Sequence, residues 1–119
     1  MHIEQIRDYC LSKPFSSEEL PFGPDTLVFK VGGKIFLLIG LDVDGSELRF
    51  NVKCDPQLAI EWREKYSQTV FPGYHMNKKH WNTVYANRDL NDDQLYRMID
   101  HSYDLIWQSL PKSIRDTTK

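Results

Sequence analysis

Two apolar, β-branched runs separated by a pair of glycines constrain the fold of this chain more than any other feature. The runs cover Thr26 to Val31 and Lys34 to Leu41, and Gly32 and Gly33 lie between them. Because glycine adopts positive φ angles at little cost, a Gly-Gly pair in this position predicts a tight β-hairpin. The chain is therefore predicted to contain an antiparallel sheet.

Further strands are predicted from the pattern that follows the hairpin. After a turn at Asp44 and Gly45, polar and apolar side chains alternate from Glu47 to Lys53, which is typical of a strand with one dry and one wet face. Shorter strands are predicted over Thr69 to Phe71 and over His80 to Ala86. The proline- and glycine-rich stretch from Ser16 to Asp25 is interpreted as a structured loop.

Three helices are predicted around these strands. The first covers about Ile3 to Leu11, where apolar residues recur at helical spacing. The second begins at Asp55-Pro56, an N-cap residue followed by proline, and stops near Tyr66. The third has its N-cap at Asn91 and is closed by Pro111.

The predicted order is thus α-β-β-β-α-β-β-α over one domain, residues 1–119, with an exposed tail from about residue 112. This order is typical of the α+β class. It predicts two layers, an antiparallel sheet with the helices on one face, and leaves the other face available to a partner.

The composition indicates a globular protein of the cytoplasm. Hydrophobic residues make up 40% of the chain, and the apolar run from Ile35 to Leu41 is too short to span a bilayer. The two cysteines, Cys10 and Cys54, are far apart and outside any CxxC motif, which favours reduced thiols in a reducing compartment. We expect no membrane segment and no cofactor.

One segment combines the side chains that bind nucleic acids. Between Lys65 and Arg88 there are basic residues and no acidic ones, although the net charge of the chain is −2. Cations, imidazoles and flat rings within it are suited to phosphates and bases, and two cations on the wet face of a strand extend the surface. The candidate nucleic-acid-binding residues are Tyr74, His75, Asn77, Lys78, Lys79, His80, Trp81, Arg49 and Lys53.

Other interpretations of the same residues stay open. The segment from Tyr74 to Trp81 could be an ordered turn whose polar groups bind the backbone. His75 and His80, with His101 or Cys54, could bind a metal, but their spacing is not that of a zinc site and we expect none. The chain has no Gly-rich phosphate loop, no Gly-x-Ser-x-Gly and no HExxH, so we expect no catalytic activity.

Several motifs resemble those of the MmcQ/YjbR family. The most specific block is Pro72 to Val84, PGYHMNKKHWNTV. Shorter ones are YCLSKP at residues 9–14, PFGPD at 21–25, KCDP at 53–56 and DHSYDL at 100–105. The resemblance extends from Tyr9 to about Arg115, and it departs at Phe15, where glycine commonly follows the proline, and at Met76, where leucine is usual.

The resemblance implies a fold like that of type III secretion chaperones, which is also compared with the CyaY-like fold of frataxin homologues. It further implies DNA binding through a suggested winged arrangement. Fold analogy alone does not identify a site. Two functions therefore remain: DNA binding through the candidate residues, or docking of a protein partner on the open sheet face or on an exposed strand edge.

Overall fold

The computed structural model describes residues 1–41, 47–74 and 76–117. In chain order its elements are α1 Ile3–Ser12, β1 Ser16–Glu19, β2 Thr26–Val31, β3 Lys34–Gly40, β4 Arg49–Lys53, α2 Pro56–Lys65, β5 Val70–Pro72, β6 Trp81–Tyr85, α3 Asp92–Ser109 and α4 Lys112–Thr117. The limits of the predicted strands and helices agree with the observed ones to within two residues. The predicted turn at Asp44 and Gly45 lies outside the described residues.

The strands form one antiparallel sheet, which in the described residues has the order β1-β2-β3-β4-β6-β5. Directly paired residues share a face of the sheet. One face, called the core face below, carries the paired row Leu27, Ile39, Phe50, Val84 and Val70. The opposite face, called the open face, carries the row Glu19, Val28, Leu38, Asn51, Thr83 and Phe71.

The helices cover the core face. The long helix α3 lies across the strands β2, β3 and β4, and its apolar stripe is buried at Leu95, Met98, Ile99, Tyr103 and Ile106. Side chains of the other helices pack into the same core: Ile6 and Cys10 from α1, Trp62 from α2 and Ile114 from α4. In the part of the chain that the structure describes, no helix covers the open face, and the arrangement confirms the predicted α+β class.

The predicted hairpin joins β2 to β3. Gly32 has φ +59° and Gly33 has φ +82°, values that non-glycine residues rarely adopt. Gly32 also lies against the end of α3, since a Cβ at this position would be 2.6 Å from Cδ1 of Leu110. The turn is therefore specified by backbone conformation at both glycines and by packing at Gly32.

The predicted loop from Ser16 to Asp25 is wrong in its first part. Ser16–Glu19 forms β1, which pairs with β2 from Ser16 opposite Val31 to Glu19 opposite Val28. Ion pairs hold this polar edge strand in place, with Arg7 of α1 bound to Glu18 and Lys30 of β2 bound to Glu19. Its stability depends on these partners, and a short polar sequence does not reveal them.

The tail predicted to be exposed from about residue 112 contains α4. Lys112, Ser113 and Asp116 are exposed, whereas Ile114 is partly buried and packs against the core. The predicted element order therefore lacked β1 and α4. Among the helices of the described chain, none has the length and apolarity that a membrane span requires.

Candidate functional site

Cations of β4 face aromatic rings of β6 on the open face. Arg49 is paired with Tyr85, and Lys53 is paired with Trp81. All four side chains are partly exposed. The guanidinium carbon of Arg49 is 6.0 Å from the centroid of the Tyr85 ring, which is within the range of a cation–π interaction. Two pairs of a cation and a ring thus lie on one surface.

Asn51 and Thr83 form a hydrogen-bonded pair that lies between the Arg49–Tyr85 pair and the Lys53–Trp81 pair. The Thr83 hydroxyl donates to Oδ1 of Asn51 and accepts from the backbone N–H of Tyr74 at 2.9 Å. Thr83 is almost completely buried. The pair therefore joins β4 to β6 and also anchors the chain that leaves β5.

The site continues onto β5 and to Arg88. The rings of Phe71 and Tyr85 meet edge to face, with their centroids 5.6 Å apart. The guanidinium carbon of Arg88 is 3.7 Å from the centroid of Tyr85, so it lies over one face of that ring. Arg88 also forms an ion pair with Glu47, and its guanidinium lowers the pKa of the Glu47 carboxyl by hydrogen bonding. Because Glu47 offsets its charge, Arg88 adds packing rather than net positive charge.

The surface contains a concavity of about 290 Å³. Its lining consists of Arg49, Phe71, Pro72, Tyr74, Thr83 and Tyr85. Arg49 lies between two tyrosine rings, since its guanidinium carbon is 5.8 Å from the centroid of Tyr74 and 6.0 Å from that of Tyr85. The concavity is thus aromatic along its walls and carries one cation.

Gly73 brings Tyr74 to the edge of this concavity. The N–H of Gly73 donates to the carbonyl oxygen of Trp81 at 2.8 Å. A Cβ at Gly73 would be 2.8 Å from Cβ of Trp81 and 2.9 Å from its carbonyl oxygen, so only glycine allows this close approach without a shift. The side chain of Tyr74 is 59% exposed.

The segment that leads into β6 is an ordered turn. Oδ1 of Asn77 accepts from the N–H of Lys79 at 2.9 Å, and the carbonyl of Asn77 accepts from the N–H of His80 at 3.2 Å and from that of Trp81 at 3.0 Å. Nζ of Lys78 is 3.5 Å from the carbonyl oxygen of Gly73. The Asn77 side chain is thus used to shape the turn, while Lys78 and Lys79 are exposed beside it.

The predicted candidates are accordingly divided. The structure brings Arg49, Lys53, Trp81 and Tyr74 to the open face, and it places Asn77, Lys78, Lys79 and His80 in the adjoining turn. His75 lies outside the described residues. The basic stretch predicted from Lys65 to Arg88 is not one positively charged surface, because Lys65 is on α2 and the charge of Arg88 is offset by Glu47.

The other groups considered for a metal have different partners. Nε2 of His101 accepts from the N–H of Asp55 at 3.1 Å, and its ring meets Trp62 edge to face. Cys54 is buried, and burial raises the pKa of its thiol to about 12. Within the described ranges, no group of three or more His, Cys, Asp and Glu side chains is arranged to hold a metal ion.

Sequence reasoning missed part of the site. Phe71, Tyr85 and Thr83 line the concavity but were not among the candidate residues. A signal for two of them existed, since the alternation from His80 to Ala86 places Trp81, Thr83 and Tyr85 on one side of the strand. No local pattern indicated that this strand pairs with β4, and it is this pairing that places its side chains beside Arg49 and Lys53.

Comparison with known proteins identifies the family. The sequence profile described as YjbR matches residues 11–105. The uncharacterised protein YbdF of Escherichia coli O157:H7 is 40% identical over 113 residues, which cover 92% of this chain and 87% of YbdF. The uncharacterised protein YjbR of Escherichia coli K12 is 31% identical over 115 residues, 97% of this chain and 95% of YjbR.

Solved structures share the fold. The crystal structure of the Deinococcus radiodurans protein DR2400, a DUF419 domain protein, superposes with a TM-score of 0.89 at 34% identity and covers 98% of this chain and 86% of that one. A crystal structure from Pseudomonas syringae has a TM-score of 0.75 at 28% identity, over 89% of this chain and 99% of the other. On the match over residues 11–105 and the full-length similarity to YbdF and YjbR, this chain belongs to the YjbR family.

Proposed function

We propose that this protein binds single-stranded nucleic acid on the open face, across β4 and β6. The observation that carries the proposal is the pairing of Arg49 with Tyr85 and of Lys53 with Trp81. Cations contact phosphates and aromatic rings stack on bases. Each cross-strand pair therefore offers one group for the phosphate and one for the base of a nucleotide.

The arrangement favours a single strand over a duplex. Stacking on protein rings requires bases that are unstacked from their neighbours, as in single-stranded segments. Among the described residues, neither Arg49 nor Lys53 forms an ion pair with an acidic side chain, in contrast to Arg88 with its partner Glu47. Binding then depends on local charge, which is compatible with a net charge of −2 for the whole chain.

Fluorescence-anisotropy titration tests the proposal. The protein is titrated with labelled single-stranded and duplex DNA across a salt series, alongside the Arg49→Ala/Lys53→Ala double variant. Each cation that contacts a phosphate of a single strand contributes about 0.7 to the slope of log K against log salt, so the double variant should reduce that slope by about 1.4. The single strand should bind more tightly than the duplex.

Two further double variants make the same change in charge, one as a control and one as a second test. Arg97 of α3 and Lys112 of α4 are exposed residues of the helical layer, so Arg97→Ala/Lys112→Ala should leave the slope unchanged. Lys78→Ala/Lys79→Ala reports whether the turn beside the open face contributes as well. Absence of binding at low salt, or an equal loss in the Arg97/Lys112 control, would contradict the proposal.

A protein partner is the second candidate, and a separate observation favours it. Phe15, Leu20 and Phe22 are exposed apolar side chains on either side of the edge strand β1. An exposed edge strand can add a strand from another chain, and exposed apolar groups are typical of contact surfaces. This candidate predicts that the protein captures a partner protein and that the capture persists after nuclease treatment and at high salt. Phe22→Ser should abolish the capture, and Arg49→Ala should leave it unchanged.

The proposed role is binding without catalysis, in the cytoplasm. Cys10 and Cys54 are free and buried, and burial raises the pKa of each thiol to about 12. Such cysteines remain protonated and unreactive at neutral pH, which supports a protein built for a reducing compartment.

A further inference from the structure

We infer that the concavity on the open face receives one unpaired base of the bound strand. The inference rests on the proposed function and adds to it a defined subsite. Its walls are the rings of Phe71, Tyr74 and Tyr85 with Pro72, and Arg49 and Thr83 complete the lining. The ligand class is a single nucleotide unit of a strand, a planar ring with an adjacent phosphate.

The volume fits one ring system. The volume of the concavity is about 290 Å³. Sites for small molecules begin at about 300 Å³, so this space is suited to a single planar ring rather than to a folded segment of polymer.

The walls are suited to a ring. Phe71 and Tyr85 are held edge to face at 5.6 Å, and the guanidinium of Arg88 lies over one face of Tyr85. These contacts fix the orientation of the two rings before any ligand arrives, which reduces the entropy lost on binding. Tyr74, at 59% exposure, forms the outer side of the concavity.

The floor of the concavity, formed by Thr83, is rigid. Thr83 is 3% exposed, and its hydroxyl is bound both to Asn51 and to the N–H of Tyr74. Because that second bond also fixes the backbone of Tyr74, the outer wall is tied to the floor. The shape of the concavity is therefore set by the sheet.

Arg49 provides a positive charge that can bind the phosphate adjacent to the ring of a nucleotide. It lines the concavity between Tyr74 and Tyr85, whereas Lys53 is four residues farther along β4, at about 13 Å for a rise of about 3.3 Å per residue. One cation thus lies at the base-binding concavity and the second lies along the strand, where it can contact a different phosphate.

Abasic strands test this inference. Three labelled single strands of equal length are compared: an oligothymidylate, a strand that retains one central base and is otherwise abasic, and a fully abasic strand. All three keep the phosphates. One base in the concavity should make the one-base strand bind about 5- to 150-fold more tightly than the fully abasic strand, the range for stacking one base on an aromatic side chain.

Tyr74→Ala connects this gain to the concavity. The variant should remove most of the difference between the one-base and the fully abasic strand while it retains the salt dependence. Phe22→Ala is the matched control, because Phe22 is an aromatic of similar exposure, 66%, that does not line the concavity. It should leave the one-base gain intact, and thermal unfolding of both variants verifies that they are folded.

The outcomes separate this inference from the proposed function. Salt-dependent binding that is equal for the one-base and fully abasic strands would overturn the base subsite alone, as would a one-base gain that survives Tyr74→Ala. Absence of binding to every strand would overturn the proposed function and the subsite together.

Discussion

Nε of Arg63, on α2, donates to Oδ1 of the buried Asn82 on β6 at 2.7 Å. The same guanidinium donates from Nη2 to the carbonyl oxygen of Trp81 at 3.2 Å and to that of Lys78. Nδ2 of Asn82 has no hydrogen-bond partner among the described residues, so this contact with Arg63 satisfies one half of a buried amide. Arg63 therefore joins the second helix to β6 and to the turn that precedes it.

Arg63→Ala should lower the free energy of unfolding by about 2–3 kcal/mol, because it removes charge-assisted hydrogen bonds and leaves a buried amide oxygen unpaired. Urea denaturation measures the change. Lys65→Ala, on an exposed position of the same helix, should change stability by about 0.5 kcal/mol or less. Equal losses in the two variants would show that the Arg63 contacts contribute little.

His101 should make stability depend on pH. Its Nε2 accepts from the N–H of Asp55, the N-cap of α2, which requires the neutral imidazole. Burial lowers the pKa of His101, although the nearby Asp55 and Asp104 carboxylates act in the opposite direction. The unfolded chain then takes up this proton at a higher pH than the folded one, so the contribution of His101 is complete above the ordinary value of about 6.5 and is lost as pH falls through the lower folded pKa.

His101→Gln isolates this effect, since glutamine retains a hydrogen-bond acceptor but does not titrate. The free energy of unfolding of the wild type should decline more steeply between about pH 7 and pH 5 than that of the variant. Urea titrations at several pH values provide the comparison. Parallel declines would assign the pH dependence to other groups.

Gly32 and Gly33 should respond differently to alanine. Both have positive φ, so each substitution costs about 1–2 kcal/mol of left-handed backbone strain. At Gly33 the added methyl group meets nothing within 4 Å, whereas at Gly32 it would be 2.6 Å and 2.8 Å from the two Cδ atoms of Leu110. Overpacking adds about 1–3 kcal/mol, so Gly32→Ala should be the more destabilising variant.

Thermal or urea unfolding of the two alanine variants measures that difference directly, and each serves as the control for the other. A Gly33→Ala variant as unstable as Gly32→Ala would show that Leu110 moves aside without cost.

Local features of the sequence were sufficient for most of the fold. The two glycines predicted the hairpin, the Asp55-Pro56 pair predicted the start of α2, and the cap at Asn91 predicted the start of α3. Each depends on interactions within a few residues, which a local pattern records. The alternation from Glu47 to Lys53 likewise predicted which side chains lie on the open face.

The remainder depended on residues far apart in the chain. β1 is a strand because its four residues pair with Val28 to Val31 and because Arg7 and Lys30 bind its glutamates. Its own polar sequence has little preference for a strand, so only the tertiary contacts reveal it.

The site was decided by sheet topology. Alternation predicted a row of polar residues at Arg49 and Lys53 and a row at Trp81 and Tyr85, each within its own strand. It did not predict that β4 pairs with β6 rather than with β5, which puts Arg49 opposite Tyr85. Pairing of distant strands depends on the packing of the whole sheet against α3, so the sequence by itself determined the chemistry of the two rows, and only the tertiary structure brought them together into one surface with a concavity.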